Sequence, residues 1–460
     1  MEKISRKRFD AYVDFTRNPF IFQVGEEKRW YENKARTLFG VILWDYTDND
    51  YNSVLLGRDE NRQIRAIDVE CSFADIVSAE EWIISNAKKL EENSQTFFYQ
   101  GDGGKQGVNL FAPIVDNSRI HPYFDILNTK PTHTAAKALI SEIAPHFFDV
   151  DGNFIEQFQT QGFDSRLWEL FLFCYFNEEY LDIDRTHAAP DFMLSNGEIV
   201  VGLEAVIVGR KTQPMPFNKN NINKLEIDIE TETKNSMPIR YGSPLYSKLN
   251  HTPKGSGLHY WEYPHTCGKP FVIAIADFHE DFSMTWSTTA LATYLYGFRY
   301  SHTYDDTGKL IITPEKIEFH ENPDTGKKIP SGFFFQPGAE NISAILHTTS
   351  GTLSKFNRIG KQCGFDENDT TMIRLVALHN HDENASRPHF AQYIVTEECE
   401  ETWGEGVSIY HNPNAIHPLP KDFFRSAAQH TLENDMVVSQ LPDIYVYSSY
   451  TMLYSITGKD

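Results

Sequence analysis

Three carboxylates lie in runs that ought to be buried. Glu169 sits inside Leu167-Trp168-Glu169-Leu170-Phe171-Leu172-Phe173, Asp191 follows Pro190 and opens Asp191-Phe192-Met193-Leu194, and Glu204 interrupts the apolar stretch from Ile199 to Val208. An ionised carboxylate in apolar surroundings is costly unless it is paired, protonated or bound to a metal. Three of them in one short helix–strand–strand segment point to a shared cation. A hard divalent ion such as Mg²⁺ suits such a set, because it takes one or two carboxylates, keeps several waters and leaves room for a phosphate oxygen. Bound there, it would lower the pKa of a water and offset charge building on a phosphodiester. A nearby lysine would orient that water or stabilise the same charge.

The elements that must position these groups are legible around them. Ser195-Asn196-Gly197-Glu198 is a hairpin turn signal. With Asn196-Gly197 as a two-residue loop, Ser195 pairs with Glu198 and Asp191 stands opposite Gly202. Residues 202 and 204 share a face because side chains alternate along a strand. Asp191 and Glu204 are then diagonal neighbours at roughly 7–8 Å, whereas a one-residue slip would put them on opposite faces. Glu169 belongs to a core helix that is apolar on nearly every side, with Asp164 or Ser165 expected at its cap. Ser243-Pro244 is expected to start a later helix, with Ser243 at the cap and Pro244 in the first turn. Pro270 to Ala276 is a continuous apolar run and reads as a buried strand.

This arrangement resembles the PD-(D/E)XK nuclease superfamily, whose core is a helix bearing Glu, a strand opening with Asp, a strand bearing Asp or Glu then x-Lys, a helix and a further strand. The matching residues are Glu169, Pro190-Asp191 and Glu204-Ala205, and the resemblance covers roughly residues 163–278. One departure stands out: the family's lysine would fall at Val206. Some members supply it from the following helix, for which Lys248 is the first candidate, with Lys211 second. The resemblance implies a Mg²⁺-dependent endonuclease in which Mn²⁺ can substitute. It implies DNA as substrate and a restriction or anti-phage role. Asp191 and Glu204 would hold the metal, Glu169 would assist the metal or its water, and Lys248 would position the nucleophile or stabilise charge. Two other readings stand beside it. One is an inactive nuclease-like core serving as a binding or scaffold protein, which Val206 permits. The other is a metal-independent carboxylate hydrolase such as a glycosidase.

The rest of the chain sets the frame. Its 460 residues exceed one ordinary core. An α/β (α+β multidomain) organisation is expected, with a central mixed sheet flanked by helices. An N-terminal α/β domain would span 1–130, a nuclease-like core 131–285 with a polar insertion at about 209–240, and a mixed C-terminal region 286–460. The net charge of −22 opposes non-specific binding to nucleic acid, although residues 205–255 concentrate basic side chains, among them Arg210, Lys219, Lys224 and Lys254. The five cysteines are scattered and form no Cys-x-x-Cys pair, which argues against a zinc ribbon or a disulfide framework. No apolar stretch has membrane-spanning length, and the charged Met1–Arg8 precedes no signal core. A cytoplasmic protein without membrane contact is expected, with nucleic acid and either a protein partner or a second copy as company. His379-Asn380-His381 has metal-ligand spacing but no third ligand group and reads as a loop. Asp277-Phe278-His279, at the end of a buried strand, could line the same cleft, though turn capping accounts for it too.

Overall fold

The computed structural model describes residues 1–101, 107–211, 229–252, 257–322, 325–368 and 370–454. Most of the polar insertion, including Lys219 and Lys224, lies outside the described residues, as does Lys254. The chain combines helices with several sheets, one of them an eight-stranded mixed sheet, as its patterning implied. Among the described residues, no helix is long and apolar enough to cross a membrane.

The first 92 residues form a five-stranded antiparallel meander in chain order, covered by the helix Ile76–Glu92. Asp75 caps that helix by accepting the N–H groups of Val77 and Ser78, and Ala79, Ile83 and Ala87 are its buried face. That stripe at spacings of four seats the helix on the sheet.

The centre of the molecule is an eight-stranded sheet whose spatial order follows the chain: β1 (Asp182–Asp184), β2 (Phe192–Ser195), β3 (Val200–Val208), β4 (Phe271–Asp277), β5 (Ala344–Thr348), β6 (Val407–His411), β7 (Ala428–Glu433) and β8 (Met436–Gln440). Strands β1 to β3 are antiparallel neighbours, and β3, β4 and β5 run parallel. The four strands from β5 onward complete the sheet that carries Asp191 and Glu204, so residues on both sides of position 286 build one layer. Every residue of β4 is buried, as a parallel strand covered on both faces requires.

Helix α1 (Phe163–Glu178) packs on one face, where Leu203, Val272, Ala274 and Leu346 point. Twelve of its sixteen residues are buried, and Trp168 Nε1 donates to the Ala274 carbonyl of β4 at 3.2 Å. Its cap differs from expectation. Gly162 occupies the cap without a side-chain bond, and Asp164 lies in the first turn, ion-paired to Arg210 at 3.1 Å. A carboxylate that faces a guanidinium in a buried setting gains more there than from the helix N–H groups.

On the opposite face lie α2 (Met237–Leu249) and α3 (Thr288–Tyr296), packed over Val208, Ile273, Ile275 and Ile345. Helix α2 starts six residues before the expected Ser243 cap, with Pro238 in its first turn and Pro244 in its interior. Pro244 removes the bond to the Arg240 carbonyl. Buried Met237, Tyr241, Leu245 and Leu249 hold the helix through that break.

Candidate active site

The hairpin β2–β3 decides where the carboxylates stand. Its register pairs Ser195 with Val200 and Phe192 with Leu203, so the loop has four residues, Asn196 to Ile199, and the expected two-residue turn is corrected. The Asn196 side chain stabilises the wider loop by accepting the N–H groups of Glu198 and Ile199. The shift is two residues, an even number, so the face is preserved. Continued by one step, the register sets Asp191 directly opposite Glu204 rather than diagonal to it. The two groups lock together: Ala205 N–H donates to Asp191 Oδ2 at 2.8 Å, and Asp191 N–H donates to Glu204 Oε2 at 3.2 Å. No hydrogen-bond donor among the described residues reaches Asp191 Oδ1.

Glu204 is 6% exposed, on the face covered by α2. Lys248, in the last turn of that helix, brings its Nζ to 2.5 Å from Glu204 Oε1 and 3.3 Å from the Tyr260 hydroxyl. Lys248, the first lysine candidate read from the sequence, therefore stands beside Glu204. Lys211 is exposed, beyond the end of β3. Burial, and then the Asp191 charge, push the Glu204 carboxyl up to about 8 against the opposing pull of Lys248. Like charges at short range resist joint ionisation, and a cation between them relieves that resistance.

Glu169 reaches the same neighbourhood from α1 on the far side of the sheet. Burial, then Asp191, push its carboxyl up to about 7, while Arg185 and Arg166 oppose the shift. Both arginines hold it directly, Arg166 Nη1 at 2.5 Å from Oε1 and Arg185 Nη2 at 3.1 Å from Oε2. Arg185 is fixed between two rings, with its guanidinium carbon 3.8 Å from the centre of Phe147 and 4.8 Å from that of Phe192. Glu169 thus serves two partly buried guanidinium groups. Among the described residues, no three His, Cys, Asp or Glu side chains converge as a metal cluster. A cation placed here would face Asp191 and Glu204, a pair that would suit an ion filling the rest of its shell with water and substrate oxygens.

Sequence reasoning missed Arg166, Arg185 and Tyr260. Arg166 carried a signal, since it precedes Glu169 by three residues and so shares its helix face. Nothing local marks Arg185 or Tyr260. The other motifs stand apart. His379 Nδ1 meets the Tyr447 hydroxyl at 2.8 Å and His381 Nε2 the Asp443 carbonyl at 3.0 Å, both at the surface. Asp277 Oδ1 accepts both the backbone N–H of His279 at 3.1 Å and its ring nitrogen at 2.7 Å, the expected turn cap.

No protein-family model matches this chain, and no curated protein or solved structure matches it.

Proposed function

We propose that this protein is a metal-dependent endonuclease of the PD-(D/E)XK kind, hydrolysing phosphodiester bonds in DNA. The observation that carries the reading is the contact of Lys248 with Glu204, because it returns to the site the one group the strand lacks. The order α1, β1, β2, β3, α2, β4 supports it, with Asp191 on β2's leading edge and Glu204 at mid-β3. Bound Mg²⁺, or Mn²⁺ in its place, would supply an activated water and charge neutralisation. The protein's own groups do the positioning. Asp191 and Glu204 present oxygens on one sheet face. Lys248 holds a positive charge beside them, where it can meet a phosphate oxygen, and Tyr260 holds the ammonium in place. Arg166 and Arg185 hold Glu169, so Asp191 and Glu204 are the carboxylates left to face a metal.

A second reading, an inactive relative that only binds, is favoured by the charge match itself: Lys248, Arg166 and Arg185 equal in number the carboxylates Glu169, Asp191 and Glu204. The deciding experiment incubates supercoiled plasmid and circular single-stranded DNA with the protein and Mg²⁺ or Mn²⁺, comparing wild type with Asp191→Ala and Glu204→Ala. The expected result is cleavage by the wild type alone. Cleavage that survives both substitutions would overturn the site assignment. An inert wild type that binds no Mg²⁺ by calorimetry would establish the inactive reading.

A further inference from the structure

Two ring-lined cavities flank the carboxylate–lysine site, and one segment connects them. Residues 259–265 read His-Tyr-Trp-Glu-Tyr-Pro-His. Tyr260 is buried against Lys248, while His259, Trp261, Tyr263 and His265 are only half-buried. On one side, His259 and Trp261 lie parallel, centroids 4.9 Å apart at 4°, in a cavity of about 460 Å³ that begins one residue beyond Lys248, at Leu249 and Asn250. On the other side, His187 and His265 stack at 3.8 Å and 4° beside a cavity of about 410 Å³. That second wall is tied to the site, since the His265 ring meets the Ala189 carbonyl at 2.8 Å, two residues before Asp191.

The lining chemistry selects the ligand. Among the described residues neither cavity is lined by a lysine or arginine, and both carry carboxylates, Glu262 in one and Asp182 with Asp184 in the other. Phosphates are not what these walls attract. Ring faces and carboxamides are what bases use. Asn250 and Asn341 donate their amide N–H groups to the Tyr246 and Gly338 carbonyls, which leaves each Oδ1 to accept from an exocyclic amino group. A paired base in a duplex has its faces covered and its edge engaged, so only an unpaired base can enter.

We infer that the site takes single-stranded nucleic acid, with the base on one side of the scissile phosphate stacked at His259/Trp261 and the base on the other side at His187/His265. This inference rests on the nuclease reading and adds its substrate class. DNA and RNA strands share the chemistry of the base face, and the two arms of the test separate them.

The test is fluorescence anisotropy with labelled 12-nucleotide single strands of DNA and of RNA and with the matching DNA duplex, with Ca²⁺ in place of Mg²⁺. The expected result is single-strand binding at least about tenfold tighter than duplex binding. Trp261→Ala and His187→Ala should each weaken it by about 5- to 100-fold, the range for loss of one stacked base. Trp261 also packs edge-on against Phe271 at 6.0 Å, so Trp261→Phe, which keeps a ring, should stay within about threefold of wild type. Duplex binding equal to or tighter than single-strand binding would overturn the inference. So would unchanged binding by Trp261→Ala and His187→Ala with wild-type melting temperatures. Cleavage of duplex plasmid with both variants fully active would overturn the inference and leave the nuclease reading standing. Ring-dependent single-strand binding with no cleavage in Mg²⁺ or Mn²⁺ would do the reverse.

Discussion

Glu204→Gln removes one charge and keeps the shape of the side chain, so its effect on stability should depend on pH in a defined way. The folded protein holds the Glu204 proton more tightly than the unfolded chain does, at about 8 against 4.5. The stability linked to that proton is fully present below the unfolded value and is lost as pH rises toward the folded value. The gap of about 3.5 units corresponds to about 5 kcal/mol at 1.36 kcal/mol per unit. Lys248, with its side chain 24% exposed, loses its partner in the variant, which reduces the expected gain to on the order of 2–4 kcal/mol. The glutamine protein has no such slope. Wild type and variant should therefore melt close together near about pH 5, and the variant should melt higher by about 2–8 °C near about pH 9, at about 1–2 °C per kcal/mol for a chain of this size. Scanning calorimetry in EDTA reads the difference. Adding Mg²⁺ near pH 9 should then raise the wild type toward the variant, because a ligand of the folded state stabilises only the protein that binds it. A melting difference that is the same at both pH values, or a variant that is less stable near pH 9, would refute the burial and like-charge argument.

Three further outcomes follow from the same contacts. Lys248→Met should reduce nucleolytic turnover by at least about 100-fold, the scale for a charge-stabilising group, with Mg²⁺ affinity by calorimetry unchanged or tighter because a cation has left the site. Arg185→Met should destabilise the protein by about 2–3 kcal/mol in chemical denaturation, since Glu169 loses one of its two guanidinium partners while remaining buried. Glu401→Gln should cost about 3–5 kcal/mol by the same measurement, because Glu401 holds Arg358 through bonds of 2.7 and 2.6 Å at an interior site 3% exposed. Burial pushes the Glu401 carboxyl up, but Arg358, then Arg374 and Lys355, outweigh it and hold it down at about 2. Its stabilisation is present above about pH 4.5 and lost as pH falls toward 2, so the Gln variant and the wild type should converge in acid.

The sequence by itself determined which carboxylates were anomalous and which two share a face. Burial of Glu169 and Glu204 follows from their apolar neighbours, and strand alternation puts Asp191 and Glu204 together for any even shift of register. The place of β4 was equally legible, because the continuous apolar run from Pro270 to Ala276 is a local signal. Tertiary structure decided the rest. The four-residue loop moved Glu204 from a diagonal to a facing position, a choice made by Asn196's own hydrogen bonds and by the packing of Phe192 and Leu203. Lys248 lies 44 residues from Glu204 in the chain, and only the docking of α2 on β3 brings them to 2.5 Å. Arg185 reaches Glu169 because Phe147, in a loop, and Phe192, on β2, both pack their rings on its guanidinium. Local sequence specifies periodicity and burial. The partner of a buried charge is specified by which elements pack together, and no short stretch of chain contains that information.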